Sequence, residues 1–291
     1  MSTLIRLFLV AGLLAGFAFE AVAADKPDDS PLEAKKPHPP ILRDKNLETV
    51  IRKELHKTAE SGEITKADLK NVYFLRARGK NIADLSGLEH CTNLREIVLE
   101  ENSIADVSAL AGLVDVQFLN LAKNQISDVA PIANLKKLQY LKLDQNQLTK
   151  IDAVRELEAL TSIYLAGNKV ESIEPLTSLK KLQMLDLSEN GLKDISPLSG
   201  LEWLSSLNLD GNGLSDLAPL AGLTELRFTM IRNNDVKDLS VLVSMAKKDG
   251  EGEKRFAPYW RLYLKGNPFD QAKTDAQVAE LKKHNVRISM D

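Results

Sequence analysis

The sequence predicts an α/β solenoid, with a curved parallel β-sheet on a concave face and 3₁₀ turns and extended segments on the convex side. Three observations predict it. Asn102, Asn124, Asn146, Asn168, Asn190, Asn212 and Asn234 recur every 22 residues without a slip. An aliphatic residue stands two places after each, from Ile104 to Val236, and a mostly aliphatic pair stands five and three places before, from Ile97 and Leu99 to Thr229 and Ile231. Pro131, Pro175, Pro197 and Pro219 return at one position of the second half-unit.

Each part of the repeat has a physical reason. In the unit from Leu179 to Gly200, Leu182, Leu185 and Leu187 point inward, while Met184, Asp186 and Ser188 alternate with them. That period of two is a short strand with one buried face. One such strand cannot bury its apolar side alone, so neighbouring units must stack. Asn190 ends the strand inside a turn, where its carboxamide can both donate and accept. Turn backbone aimed into the interior would otherwise be left unpaired, at considerable cost. The asparagines are therefore structural and form a ladder that continues at Asn267. An Asp recurs in the second half-unit at Asp84, Asp106, Asp128, Asp194, Asp216 and Asp238, with Lys150 and Ser172 as exceptions. Asp and Ser side chains cap backbone N–H groups where turns begin. Too few residues remain for a full α-helix on the return path, which predicts 3₁₀ turns instead. An array of this period with L-x-x-L-x-L-x-x-N-x-L is a leucine-rich repeat.

The units resemble the 22-residue leucine-rich repeats of bacterial internalins. The strand pattern, the turn Asn and the following I-x-D-I-x-P-L all match, over roughly residues 69–269. The resemblance implies a right-handed, curved solenoid that binds proteins on its concave face.

Taken in order, residues 1–23 read as a secretory signal peptide: Arg6, an apolar run from Leu7 to Phe19, then a small-x-small site at Ala21 to Ala23. Residues 24–45, proline-rich with mixed charge, read as a linker. Residues 46–68 read as a helical N-terminal cap, since a solenoid end must be covered. Asn46 is its expected N-cap, Leu47, Val50, Ile51 and Leu55 its apolar face, and Ser61-Gly62 its end. Thr65-x-x-Asp68 is a capping box that opens one more turn. The repeats occupy 69–269, about nine in all. Lys80 stands where the first unit would carry its ladder Asn, and Asn81 lies one place later. The register breaks once: Asn267 lies 33 residues after Asn234. The excess, placed near 245–255, is charged and glycine-containing and reads as a mobile loop or a partner contact. Residues 270–291 read as a C-terminal cap, with a capping box at Thr274-x-x-Gln277, Asn285 at a left-handed helix end, and a strand through Val286, Ile288 and Met290.

Composition narrows the function. The chain has 291 residues, with 38 Lys and Arg against 41 Asp and Glu. This near balance argues against nucleic-acid binding, which needs a basic stripe. One cysteine, Cys91, rules out a disulfide within the chain and reads as a small buried apolar residue. The four histidines are scattered, so neither a metal nor a cofactor is expected. No motif of nucleophilic, phosphate-binding or zinc chemistry occurs, and no enzymatic activity is expected. The concave strand face is the large surface that the repeat does not dictate. Phe118, Tyr140, Lys142, Asp144, Tyr164, Met184, Asp186, Asn208, Asp210, Phe228 and Met230 lie on it and are the candidate protein-binding residues. Basic residues mark both ends of the face and acidic ones its middle. The reading is a secreted or periplasmic, monomeric module without a membrane span after signal cleavage. Its expected partner is a protein with a basic surface. An internalin-type adhesin or effector and a carbohydrate-directed binder are the alternatives.

Overall fold

The computed structural model describes residues 39–290. The signal peptide read over 1–23 and the linker up to residue 38 lie outside the described residues. Ten parallel strands form one sheet in chain order: β1 (Phe74–Arg76), β2 (Glu96–Val98), β3 (Phe118–Asn120), β4 (Tyr140–Lys142), β5 (Ser162–Tyr164), β6 (Met184–Asp186), β7 (Ser206–Asn208), β8 (Phe228–Met230), β9 (Arg261–Tyr263) and β10 (Arg287–Ser289). The register holds throughout, so that Leu75, Ile97, Leu119, Leu141, Ile163, Leu185, Leu207, Thr229 and Leu262 pair in succession. They stand in one buried column behind the sheet. Short 3₁₀ turns fill the return side, such as Ala130–Asn134, Glu174–Ser178 and Ser196–Gly200. The fold is the leucine-rich repeat solenoid.

Backbone pairing explains why so short a strand suffices. Asn146 Nδ2 donates to the Leu121 and Leu143 carbonyls, both at 3.0 Å, and its Oδ1 accepts from Ile126 N–H at 3.0 Å. One side chain thus ties its own turn to the previous unit. The same set recurs at Asn124 and Asn168. Asn102 accepts from Lys80 N–H and Ile82 N–H, so the bonding pattern extends over the first unit although Lys80 supplies no carboxamide. The residue before each ladder position takes positive φ, for instance Lys123 at 56° and Gln145 at 52°. The Asp residues open the turns: Asp128 Oδ1 accepts from Ala130 N–H and Asp216 Oδ1 from Ala218 N–H, both at 2.8 Å.

The ends differ from the sequence reading. Helix α1 (Lys45–Glu54) is capped by Asp44, not Asn46. Asp44 accepts from Asn46 N–H and Leu47 N–H, and its second oxygen accepts from Ala83 N–H in the first repeat. The linker therefore ends before residue 45: Leu42 is already buried in the core. Gly87, at φ 100°, lets the chain pass here, because a Cβ would sit 2.5 Å from the Ile41 carbonyl oxygen. Helix α1 stops at Glu54, seven residues before the expected Ser61-Gly62, and His56 turns left-handed after it. Thr65 and Asp68 form a capping box on α2 (Lys66–Leu69).

The excess residues near 245–255 do not form a mobile loop. Most belong to α3 (Ser240–Glu251), whose Leu242, Met245 and Ala246 are buried. Eleven additional residues give the return path room for the helix that an ordinary unit lacks. Asp249 then holds the exit, accepting from Arg255, Phe256 and Ala257 N–H. The core accommodates this unit with a buried pair: Trp260 Nε1 donates to Thr229 Oγ1 at 2.8 Å. At the C-terminus, α4 (Gln271–Lys283) is capped by Asp270 rather than Thr274. Thr274 is buried, and Gln277 reaches across to Asp238 and to Leu239 N–H. Asn285 is left-handed at φ 63°, and β10 follows.

Candidate functional site

The strand register places Phe118 on β3 beside Tyr140 on β4, two turns of the solenoid with rings at the same strand position. Parallel neighbours lie about 4.8 Å apart, close enough for the rings to stack. They do so at 4.1 Å between centroids, with 5° between planes. Tyr164 on β5 sits two positions further along its strand and meets Tyr140 at 5.3 Å, tilted by 41°. Its hydroxyl donates to Met184 Sδ on β6 at 3.3 Å. The four side chains form one apolar run across four strands. The three rings are half-buried by one another and Met184 is exposed. Burial pushes the Tyr140 hydroxyl up to about 12, with nearby Tyr164, Asp144 and Glu100 acting in the same direction.

The polar candidates divide by their partners. Asp186 accepts from Ser188 N–H and Oγ–H and from Asn208 Nδ2, and is thus committed within the sheet. Asn208 in turn accepts from Asp210 N–H. Asp210 accepts from the Arg232 backbone and guanidinium at 2.6–2.8 Å. Asp144 has less: Ala166 N–H at 2.9 Å and Lys142 Nζ at 3.6 Å. Its carboxyl lies above the usual carboxylate range because burial disfavours the charge. Phe228 lies under the Arg261 guanidinium, apart from the aromatic run, and Met230 is half-buried.

Two features of this face escape a reading by register. The alternating positions are not all exposed: Asn120, Ala122, Ser162 and Ser188 are buried. Part of the basic charge at the ends is also paired with carboxylates. Arg76 holds Glu96 through two bonds of 2.5 and 2.9 Å, Arg78 holds Glu101, and Arg232 holds Asp210. Among the described residues no cluster of metal-ligating side chains occurs and no helix is long and apolar enough to cross a membrane. Cys91 is buried and its thiol is pushed up to about 12, chiefly by that burial.

One-strand units, a bonded asparagine ladder and an aromatic sheet face define a leucine-rich repeat protein. Residues 115–156, 158–200 and 180–222 match the family model described as leucine-rich repeats in two copies. Among solved structures the chain is similar to internalin InlF of Listeria monocytogenes, at 27% identity and a TM-score of 0.75. That match covers 88% of this chain and 74% of the other. It is similar also to internalin C2 of the same organism, at 29% identity and a TM-score of 0.67, over 70% of this chain and 91% of that one. A leucine-rich repeat protein of Leptospira interrogans shares the fold at 21% identity and a TM-score of 0.67, over 77% and 62% of the two chains. No curated protein sequence matches the chain. The chain is an internalin-like leucine-rich repeat protein.

Proposed function

We propose that the chain is an exported, monomeric, non-catalytic module that binds a protein partner on its concave face, centred on Phe118, Tyr140, Tyr164 and Met184. The observation that carries this reading is the continuous aromatic run on one sheet face, ending at the exposed Met184. Large, rigid aromatic side chains supply contact area at low entropic cost and dominate binding energetics when central. Asp144 and Asp186 favour a basic partner surface and its rate of association. Export is supported by the n-h-c pattern of residues 1–23.

The test is Tyr140→Ala with Tyr164→Ala, assayed for partner capture and thermal unfolding on one preparation. Each truncation should cost on the order of 2 kcal/mol of binding, so capture is expected to be lost. The melting temperature should stay close to the parent's, because neither ring packs behind the sheet. Retained capture in the double variant would move the partner to another surface.

A further inference from the structure

The concave face already shows how its aromatic and acidic groups are satisfied. Near its N-terminal end the Arg76 guanidinium lies 5.7 Å from the Phe74 ring centroid and holds Glu96 through two bonds. Near its C-terminal end the Arg232 guanidinium lies 5.8 Å from the Tyr263 ring and holds Asp210. In both places one guanidinium serves a ring and a carboxylate together, which its planar, weakly hydrated fork does well. The centre of the face has the ring and the carboxylate without the guanidinium.

The comparison can be made position by position. Asp210 Oδ1 accepts from Arg232 N–H, and Asp144 Oδ1 accepts from Ala166 N–H at the same place in its unit. Arg232 adds its side chain to that carboxylate, and Ala166 has none to add. Among the described residues the cation paired with this place is Lys142, whose Nζ lies 5.8 Å from the Tyr164 ring centroid and 3.6 Å from Asp144 Oδ2. That ammonium covers the place loosely and bonds to neither group closely.

We infer that the place bounded by Tyr140, Tyr164, Asp144 and Ala166 receives an arginine side chain from a basic segment of the protein partner. This rests on the concave-face reading given above and names the chemistry that the face selects. The guanidinium pairs with Asp144 while lying against the tyrosine rings, and Lys142 swings aside. Local charge is complementary: Asp144 and Asp186 together hold the Tyr164 hydroxyl proton more tightly, after burial, so the field at the rings is negative. Arginine is favoured over lysine because an ammonium cannot both stack and bond bidentately.

The test uses the full chain, NMR, and two probes: acetyl-Gly-Arg-Gly-amide and its citrulline counterpart, which has nearly the same shape without the charge. Shifts centred on Tyr140, Tyr164 and Ala166 are expected with the arginine probe, at concentrations about tenfold lower than with citrulline. Asp144→Asn keeps an acceptor for Ala166 N–H and should weaken the arginine probe about tenfold. Ala166→Arg should fill the place from within, remove the response, and leave the melting temperature equal or higher. Equal response to both probes, or an unaltered response in Ala166→Arg, overturns the inference. Partner capture separates the two readings. Loss in the tyrosine double variant with full capture by both Asp144→Asn and Ala166→Arg keeps the surface and removes the arginine place. Full capture by all three variants removes the surface itself. Loss in all three, beside an arginine-dependent probe response, supports both.

Discussion

Asn168 has no role in the chemistry of the face, yet removing it strands backbone groups of two units. Its Nδ2 donates to the Leu143 and Leu165 carbonyls and its Oδ1 accepts from Leu148 N–H, all at 2.9–3.0 Å. The side chain is only 6% exposed, so water cannot replace these bonds. Asn168→Ala is expected to destabilise by about 1–3 kcal/mol, whereas Lys169→Ala, on an exposed side chain, should change little. Denaturant unfolding of the two variants checks this, and equal midpoints would contradict it. Thr229 offers a second case. It occupies a slot that holds Leu or Ile in the units before it, and its hydroxyl accepts from the fully buried Trp260 indole. Thr229→Val keeps the volume and strands that N–H, so a loss of about 1–3 kcal/mol is expected. The measurement is a shifted denaturant midpoint at an unchanged slope; an unchanged midpoint would mean that the indole finds another acceptor. The two residues differ in how visible they are before folding. The asparagine recurs at a fixed interval, so its role can be read from backbone chemistry. Thr229 is visible as an exception, but its reason stands 31 residues away in a unit whose length is irregular.

Elements show a similar division. Strands and return turns follow from spacing alone, since each depends on residues of its own unit and the next. The caps do not. Asp44 and Asn46 are both good N-cap residues, and both also bond to the first repeat, Asp44 to Ala83 N–H and Asn46 to the Asn81 carbonyl, contacts that local sequence cannot display. For α3 the signal was present: Leu242, Met245 and Ala246 fall at helical spacing. Gly250, Gly252 and the surrounding charges favoured a loop, while the packed face favoured a helix. The turns also carry electrostatics. Glu101, left-handed at φ 60°, accepts two bonds from the Arg78 guanidinium and one from Lys123, which hold its carboxyl down at about 2. Because the folded value is depressed, its contribution to stability is present above the unfolded value and fades as pH falls toward about 2. Glu101→Gln should therefore lower the melting temperature near neutral pH, and the gap from the parent should close through that acidic window. A gap that persists at the acidic end would place its origin in packing rather than in charge.

At the scale of the whole molecule, each unit touches chiefly its neighbours, so stability is close to a sum of unit and interface contributions. This is why so much of the fold was legible: one solved unit, repeated, gives the register of the entire sheet. It is also why the candidate site was only partly legible. Register places Phe118, Tyr140, Tyr164 and Met184 on one face, but how far side chains from adjacent strands cover each other depends on rotamers. Hence Asn120 and Ser162 are buried, and Arg76 and Arg232 are already engaged. The same nearest-neighbour logic makes a prediction about the ends. Helix α1 buries Leu47 and Ile51 completely and packs against β1, closing the apolar column that would otherwise open to water. Ile51→Asp places a carboxylate in that interface, at a cost of several kcal/mol unless the cap detaches. Detachment is the cheaper outcome, because it exposes one end while leaving every inner interface intact. Amide hydrogen exchange is expected to accelerate in α1 and β1 and to fade within about one or two units, leaving β5 and β6 as protected as in the parent. Uniform acceleration along the sheet would show instead that the repeats unfold as a single block, with the N-terminal cap as a part of it.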